Sequence, residues 1–590
     1  MNKKVYFEWW DRQKKFSSGG REGEAYLSNV LFCFFLLEDV PSVLFNLLVA
    51  LGEGNALLSI QGANLVSTLF GLAVRVVESE GQRRVRTDQA VASRPSLEKL
   101  EVTRWRDKTS SIVSFLSRLK ETTFPSLHSL NLEYNQIGDK GAKAVAEALK
   151  AGTCPSLQSL DLGGGNQIGD EGAKAVAEAL KAGTSPSLQS RALISEEATK
   201  SGMRERRPRS LEGRHLPLPA EQSLDLGGGN QIGAEGAKAV AEALKTGTCP
   251  SLQSLDLGGG NQIGAEGAKA VAEALKASTC PSLQSLDLAG NRIGAEGAKA
   301  VAEALKAGTS PSLQSLNLGD NRIGAEGAKA VAEALKAGTS PSLQSLNLAG
   351  NQIGDKGAKA VAEALKAGTC PSLQSLDLAG NRIGAGGAKA VAEALKAGTC
   401  PSLQSLDLGG NQIGDEGAKA VAEALKAGTS PSLQSRASIS ETAESVIGAE
   451  GAKAVAEALK AGTSPSLQSL DLGGNQIGDE GAKAVAEALK TGTCPSLQSL
   501  DLGGGNQIGA EGAKAVAEAL KAGTSPSLQS LDLGGNQIGA GGAKAVAEAL
   551  KAGTSPSLQS LDLGYKRISE EAKEAVRGTA LSSGSVKIDI

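Results

Sequence analysis

From about Pro125 to Gly564 the chain repeats itself almost letter for letter every 30 or 31 residues, and Pro281 to Ser310 gives the unit: PSLQSLDLAGNRIGAEGAKAVAEALKAGTS. A fixed period in this range means that each unit is one supersecondary element that cannot bury its apolar side alone, so units stack in one dimension into a solenoid. Length, 590 residues, therefore says little about domain number, because a repeat array can be one continuous core.

Inside the unit the hydrophobic period changes once. Leu283, Leu286 and Leu288 follow strand alternation, Asn291 follows the last leucine, and Ile293 leads into a helix. There Ala298, Val301, Ala302 and Leu305 make an apolar stripe, while Lys299, Glu303 and Lys306 occupy the wet side. Gly308 tolerates the positive φ of a helix stop, and Pro311 blocks continuation.

The pattern LxxLxLxxNxIGxxGAxxLAxAL resembles the ribonuclease-inhibitor-like class of leucine-rich repeats over roughly residues 95–577, about 15 units, with SLEKLEV at 96–102 one period ahead of SLHSLNL at 126–132. The resemblance implies an α/β solenoid, a curved horseshoe with a parallel inner sheet and outer helices. Spacing leads to the same shape: strands want about 4.8 Å and helices about 9 Å, which requires a bend of about 20–25° per unit. The asparagines from Asn135, Asn166, Asn230, Asn261 and Asn291 to Asn536 are expected to point inward and satisfy backbone groups of the turn after each strand.

Residues 1–94 do not repeat; they are expected to form a polar segment and an apolar, helical cap over the bare end of the array. The apolar runs Val30 to Leu37 and Val43 to Leu51 are too short to span a bilayer, and the apolar core starts too late for a secretory signal. The array is interrupted at 191–223, where RERRPR occurs, and at 436–446, where RASISETAESV replaces the motif; both follow the same SLQS. Residues 578–590 are expected to be a short tail, and ISEEAKEA with KEAVRG before them a C-terminal cap.

Charge is nearly balanced, with 61 basic against 64 acidic side chains, and aromatics are 3%, which argues against nucleic acid as a partner. Cys154, Cys249, Cys280, Cys370, Cys400 and Cys494 sit in a slot held elsewhere by Ser, so neither bridges nor metal ligation is expected, and a reducing compartment, cytoplasm or nucleus, is the default. The two histidines, His128 and His215, have no evident nucleophile partner, no GxxxxGK[ST] phosphate loop occurs, and no cofactor or enzymatic activity is expected.

The informative positions alternate with the buried leucines. Asp256, Asp287, Asn317, Asn347, Asp377, Asp407, Asp471, Asp501 and Asp532 should form a ladder on the concave face, where stacked like charges favour a basic protein partner. Arg292, Arg322 and Arg382 replace the usual Gln near one rim. A non-catalytic interaction scaffold is the leading expectation. A regulator of a small GTPase, by similarity to Ran GTPase-activating proteins, and a recently expanded repeat locus without a dedicated partner are the alternatives; neither has a residue assigned to it.

Overall fold

A computed structural model describes residues 124–183, 223–247, 249–429, 446–463 and 467–564, with short pieces at 74–75, 99–103, 112, 115–116, 436–438, 465 and 586–589. Among the described residues every strand pairs in parallel with the next in chain order, giving one 17-stranded sheet with a helix between most neighbours. This is the α/β solenoid expected from the period. The apolar helical cap, the RERRPR segment, His215 and the C-terminal ISEEAKEA and KEAVRG lie outside the described residues.

The unit around Asn291 shows why the residues behave as they do. Ser285–Asp287 is a three-residue strand in which only the central Leu286 is buried, and Leu283, Leu288 and Ile293 join it in the core. The helix Gly294–Lys306 buries Ala298, Val301, Ala302, Ala304 and Leu305 against the same layer. Small Ala side chains let neighbouring helices approach closely, and the leucine layer fills the gap to the sheet. Gly308 ends the helix at φ +67. Thr309 then donates its hydroxyl to the carbonyl of Leu275, 2.8 Å away in the previous helix, satisfying one of the orphan groups of a helix end.

Asn291 does what its burial demands. Its amide donates to the carbonyls of Leu257 (2.8 Å) and Leu288 (3.1 Å), and its own backbone N–H donates to Oδ1 of Asn321 at 2.9 Å. The column thus ties each turn to both neighbours, and a buried amide left unpaired would cost about 1–3 kcal/mol.

The sheet treats the two interruptions differently. Across the first, Ser159 pairs directly with Ser223 and Asp161 with Asp225, so Ser223 stands in the ladder as the first residue of a regular strand. At the second, Arg436–Ser438 enters the sheet itself, between Ser405–Asp407 and Ser469–Asp471. The sheet also reaches past the repeat signature at both ends: Val74 and Arg75 pair with Leu100 and Glu101, and Lys587–Asp589 pairs with Ser560–Asp562. Neither end strand belongs to the repeat, yet at the C-terminal one Ile588 stands opposite Leu561 and packs with Val586 against the core.

Candidate functional site

Leucines face the helices, so the other face of the sheet carries Ser and Asp or Asn from every regular unit, each half-buried between its neighbours. Each of the nine ladder residues expected from sequence occupies this face in register: Asp256 opposite Asp287, Asp287 opposite Asn317, Asn317 opposite Asn347, Asn347 opposite Asp377, Asp377 opposite Asp407, Asp471 opposite Asp501, and Asp501 opposite Asp532. Asp161, Asp225 and Asp562 extend the same column. Ser438 stands in it between Asp407 and Asp471.

These side chains are not simply solvated carboxylates. In each unit one side-chain oxygen accepts the backbone N–H two residues on: Gly258 to Asp256 at 2.7 Å, Ala289 to Asp287 at 2.8 Å, Gly319 to Asn317 at 3.0 Å, and Ala379 to Asp377 at 2.9 Å. This is an Asx turn, which both Asp and Asn make because both carry Oδ1. Exchange of the two residues along the column therefore leaves the turn unchanged and varies the charge and the amide donor beside it.

The charge has a visible cost at one end. Partial burial, reinforced by neighbouring carboxylates, raises Asp161, Asp225 and Asp256 from the usual carboxylate range to about 6, against the pull of the Gly163, Gly227 and Gly258 N–H groups. Asp501 and Asp532 are raised by the same burial. In the middle of the array Asn317 relieves the crowding directly, donating its amide to Oδ2 of Asp287 at 2.8 Å; Asn131 does the same for Asp161 at 2.9 Å.

Glu133 joins this face in the first complete unit. Its carboxylate, with those of Asp161 and Asp225, forms the group of three among the described residues whose oxygens lie within 4.8 Å of one another. Beside them Tyr134, at φ +58 and 54% exposed, lines an open depression with Gln136, Gly164, Gly165 and Gly228. Glu133 and Tyr134 stand out from the repeat: Glu133 stands where the other regular units have Gly or Ala, and Tyr134 where most have Gly and one has Asp320.

Arg292, Arg322 and Arg382 are exposed, in the turn that follows the sheet, with φ of 55, 56 and 58. They share neither strand nor Asx turn with the ladder. On the helix side, Lys299 pairs with Glu296 at 2.9 Å and Lys306 with Glu333 of the next unit at 3.2 Å. Such exposed pairs are screened by solvent and salt and add little to stability. The six described cysteines are buried and unbridged, and burial raises the thiols of Cys154, Cys280, Cys370, Cys400 and Cys494 away from the thiolate form. Among the described residues no helix is long and apolar enough to cross a membrane.

The family model described as Leucine Rich repeat matches the chain twelve times, at residues 125–146, 153–177, 222–241, 248–272, 279–302, 309–332, 339–362, 369–392, 399–422, 463–486, 493–517 and 524–547. No curated protein matches. Among solved structures, the chain is similar to the TLR13–ssRNA13 complex at 18% identity and TM-score 0.41, covering 84% of this chain and 52% of that one. It is similar to the Rad7 and Elc1 complex in yeast at 16% identity and TM-score 0.40, covering 87% and 95%. An internalin of Listeria monocytogenes has 15% identity and TM-score 0.36, covering 76% and 94%.

Proposed function

The chain is a leucine-rich repeat protein, and from that premise we propose that it is a non-catalytic interaction scaffold of the ribonuclease-inhibitor-like type, whose concave sheet face docks a protein segment rich in Lys or Arg. The observation that carries this reading is the column of half-buried carboxylates from Asp161 to Asp287, stacked in register and raised toward neutrality at three of its positions. Stacked like charges are relieved by a cationic partner, which gains Coulomb energy from several carboxylates at once.

The geometry also makes the test clean. Asn keeps the Asx turn, so changing Asp256, Asp287, Asp377 and Asp407 together to Asn removes four charges and leaves the backbone contacts intact. The full chain and this variant are compared for binding to a synthetic Lys/Arg-rich peptide at moderate salt and pH 7. Binding by the parent and its loss in the variant supports the docking face; equal binding by both removes the ladder as the site. Binding should also weaken as pH falls through about 6, where Asp161, Asp225 and Asp256 take up protons.

A further inference from the structure

The units look interchangeable, yet the glycine that opens each helix adopts one of two backbone conformations. Gly169, Gly233, Gly384, Gly448 and Gly509 are extended, with φ between −90 and −99. Gly264, Gly294, Gly324, Gly354, Gly414, Gly478 and Gly539 are left-handed, with φ between +57 and +63. Gly138, at the head of the regular array, is left-handed as well.

The local sequence does not decide between the two. GAEG is extended at Gly233, Gly448 and Gly509 but left-handed at Gly264, Gly294 and Gly324. GDEG is extended at Gly169 and left-handed at Gly414 and Gly478, and GAGG is extended at Gly384 and left-handed at Gly539. Neither Gln or Arg two residues before the glycine nor an extra glycine in the preceding turn separates them: NRIG precedes both Gly384 and Gly294, and GGG precedes both Gly233 and Gly264.

What separates them is one side chain in the unit before. Asp139, Asp170, Asp355, Asp415 and Asp479 precede the five extended glycines. Oδ1 of each accepts two N–H groups of the next unit, that of the glycine and that of the residue three further on. Asp355, for instance, takes Gly384 at 2.7 Å and Gly387 at 2.9 Å. The carboxylate is thus an N-cap delivered from the neighbouring repeat, at the helix end where negative charge is favoured. Ahead of the seven left-handed glycines the same position is Ala234, Ala265, Ala295, Ala325, Ala385, Ala449 or Ala510.

Lacking that acceptor, the glycine N–H turns to the opposite neighbour. Gly264, Gly294, Gly324, Gly354 and Gly478 donate to the backbone carbonyl of the Asn in the following unit, as Gly324 does to Asn351 at 3.0 Å. In the capped units it is instead the carbonyl before the glycine that pairs forward, Ile383 accepting from Gln412 at 2.8 Å.

We infer that this Asp-or-Ala position is a two-state switch that sets the rim backbone of the unit after its own. Along the array the helix starts run left-handed, twice extended, four times left-handed, and then alternate from Gly384 to Gly539. Near-identical repeats therefore present two different rims in a fixed order, a source of surface diversity independent of the proposed docking face.

The test uses crystal structures of the full chain carrying Asp355→Ala or Ala295→Asp, two changes native to other units at the same position. Asp355→Ala should move Gly384 to φ near +60, with its N–H on the Asn411 carbonyl. Ala295→Asp should move Gly324 to φ near −90, with its N–H on the new carboxylate. In solution, Gly324→Ala alone should lower the folding equilibrium about 10-fold, the strain of a left-handed Ala, and by at least about 3-fold less in the Ala295→Asp background. Either glycine staying in its present conformation, or an equal penalty in both backgrounds, would overturn the switch.

Discussion

The sheet face between Asp161 and Asp287 and that between Asn317 and Asn347 share one backbone, one leucine core and one Asx turn, yet differ in charge. At the acidic stretch partial burial and neighbouring carboxylates hold protons at three positions up to about pH 6; in the middle Asn317 and Asn347 bring no charge to the stack, and the Asn317 amide bonds to Asp287. Charge on this face is thus separable from its architecture. The turn needs an oxygen acceptor, and whether that acceptor is ionised is free to serve something other than folding.

The broadest check is on the shared part. Leu224→Ala in the acidic stretch and Leu316→Ala in the middle both remove a buried core leucine, and each should cost about 3 kcal/mol in urea unfolding. A markedly smaller loss at one site would show that the cores differ and break the comparison. Next, Asn317→Asp keeps the turn but loses the bond to Asp287 and stacks charge against it; about 2 kcal/mol of destabilisation is expected at pH 7, shrinking at pH 5.

In the opposite direction, Asp225→Asn should stabilise by about 1 kcal/mol at pH 7, a value discounted for the solvent screening of a partly exposed group. The sign follows from linkage. A folded-state value of about 6 against the ordinary 3.8 means that the native protein binds the extra proton, so stability from Asp225 is greatest below about pH 4 and is lost as pH rises through about 6. The gain from Asn should therefore vanish in acid, and a gain that persists at pH 4 would assign the effect to something other than charge. Smallest of all, Lys299→Ala on the helix side should leave the urea midpoint within experimental scatter, whichever stretch of the sheet lies beneath.

Periodicity made the fold legible: the leucine alternation, the helical stripe, the buried Asn column and the ladder positions all follow from spacing within one unit. The Asx turn was within reach too, since Asp287 and Ala289, or Asp407 and Gly409, stand at the fixed two-residue offset that such turns use. Contacts between units were harder to see. The bond from Asp355 to Gly384 spans a whole period, and its importance shows only when identical GAEG segments take different conformations. The strands at 74–75 and 587–589 lie outside the repeat; Ile588 does take the leucine position opposite Leu561, but the backbone pairing itself is indifferent to the residues that carry it.

That indifference has a consequence for how such a molecule acquires its size. Ser159 meets Ser223 across 64 positions of chain, whereas most neighbours in the ladder are about half as far apart, and the hydrogen bonds are of the ordinary kind in both cases. The sheet registers copies and does not count the residues between them. Copy number is therefore an adjustable length: removal or addition of one regular unit shortens or lengthens the sheet by one strand spacing and leaves the kind of backbone pairing between units unchanged.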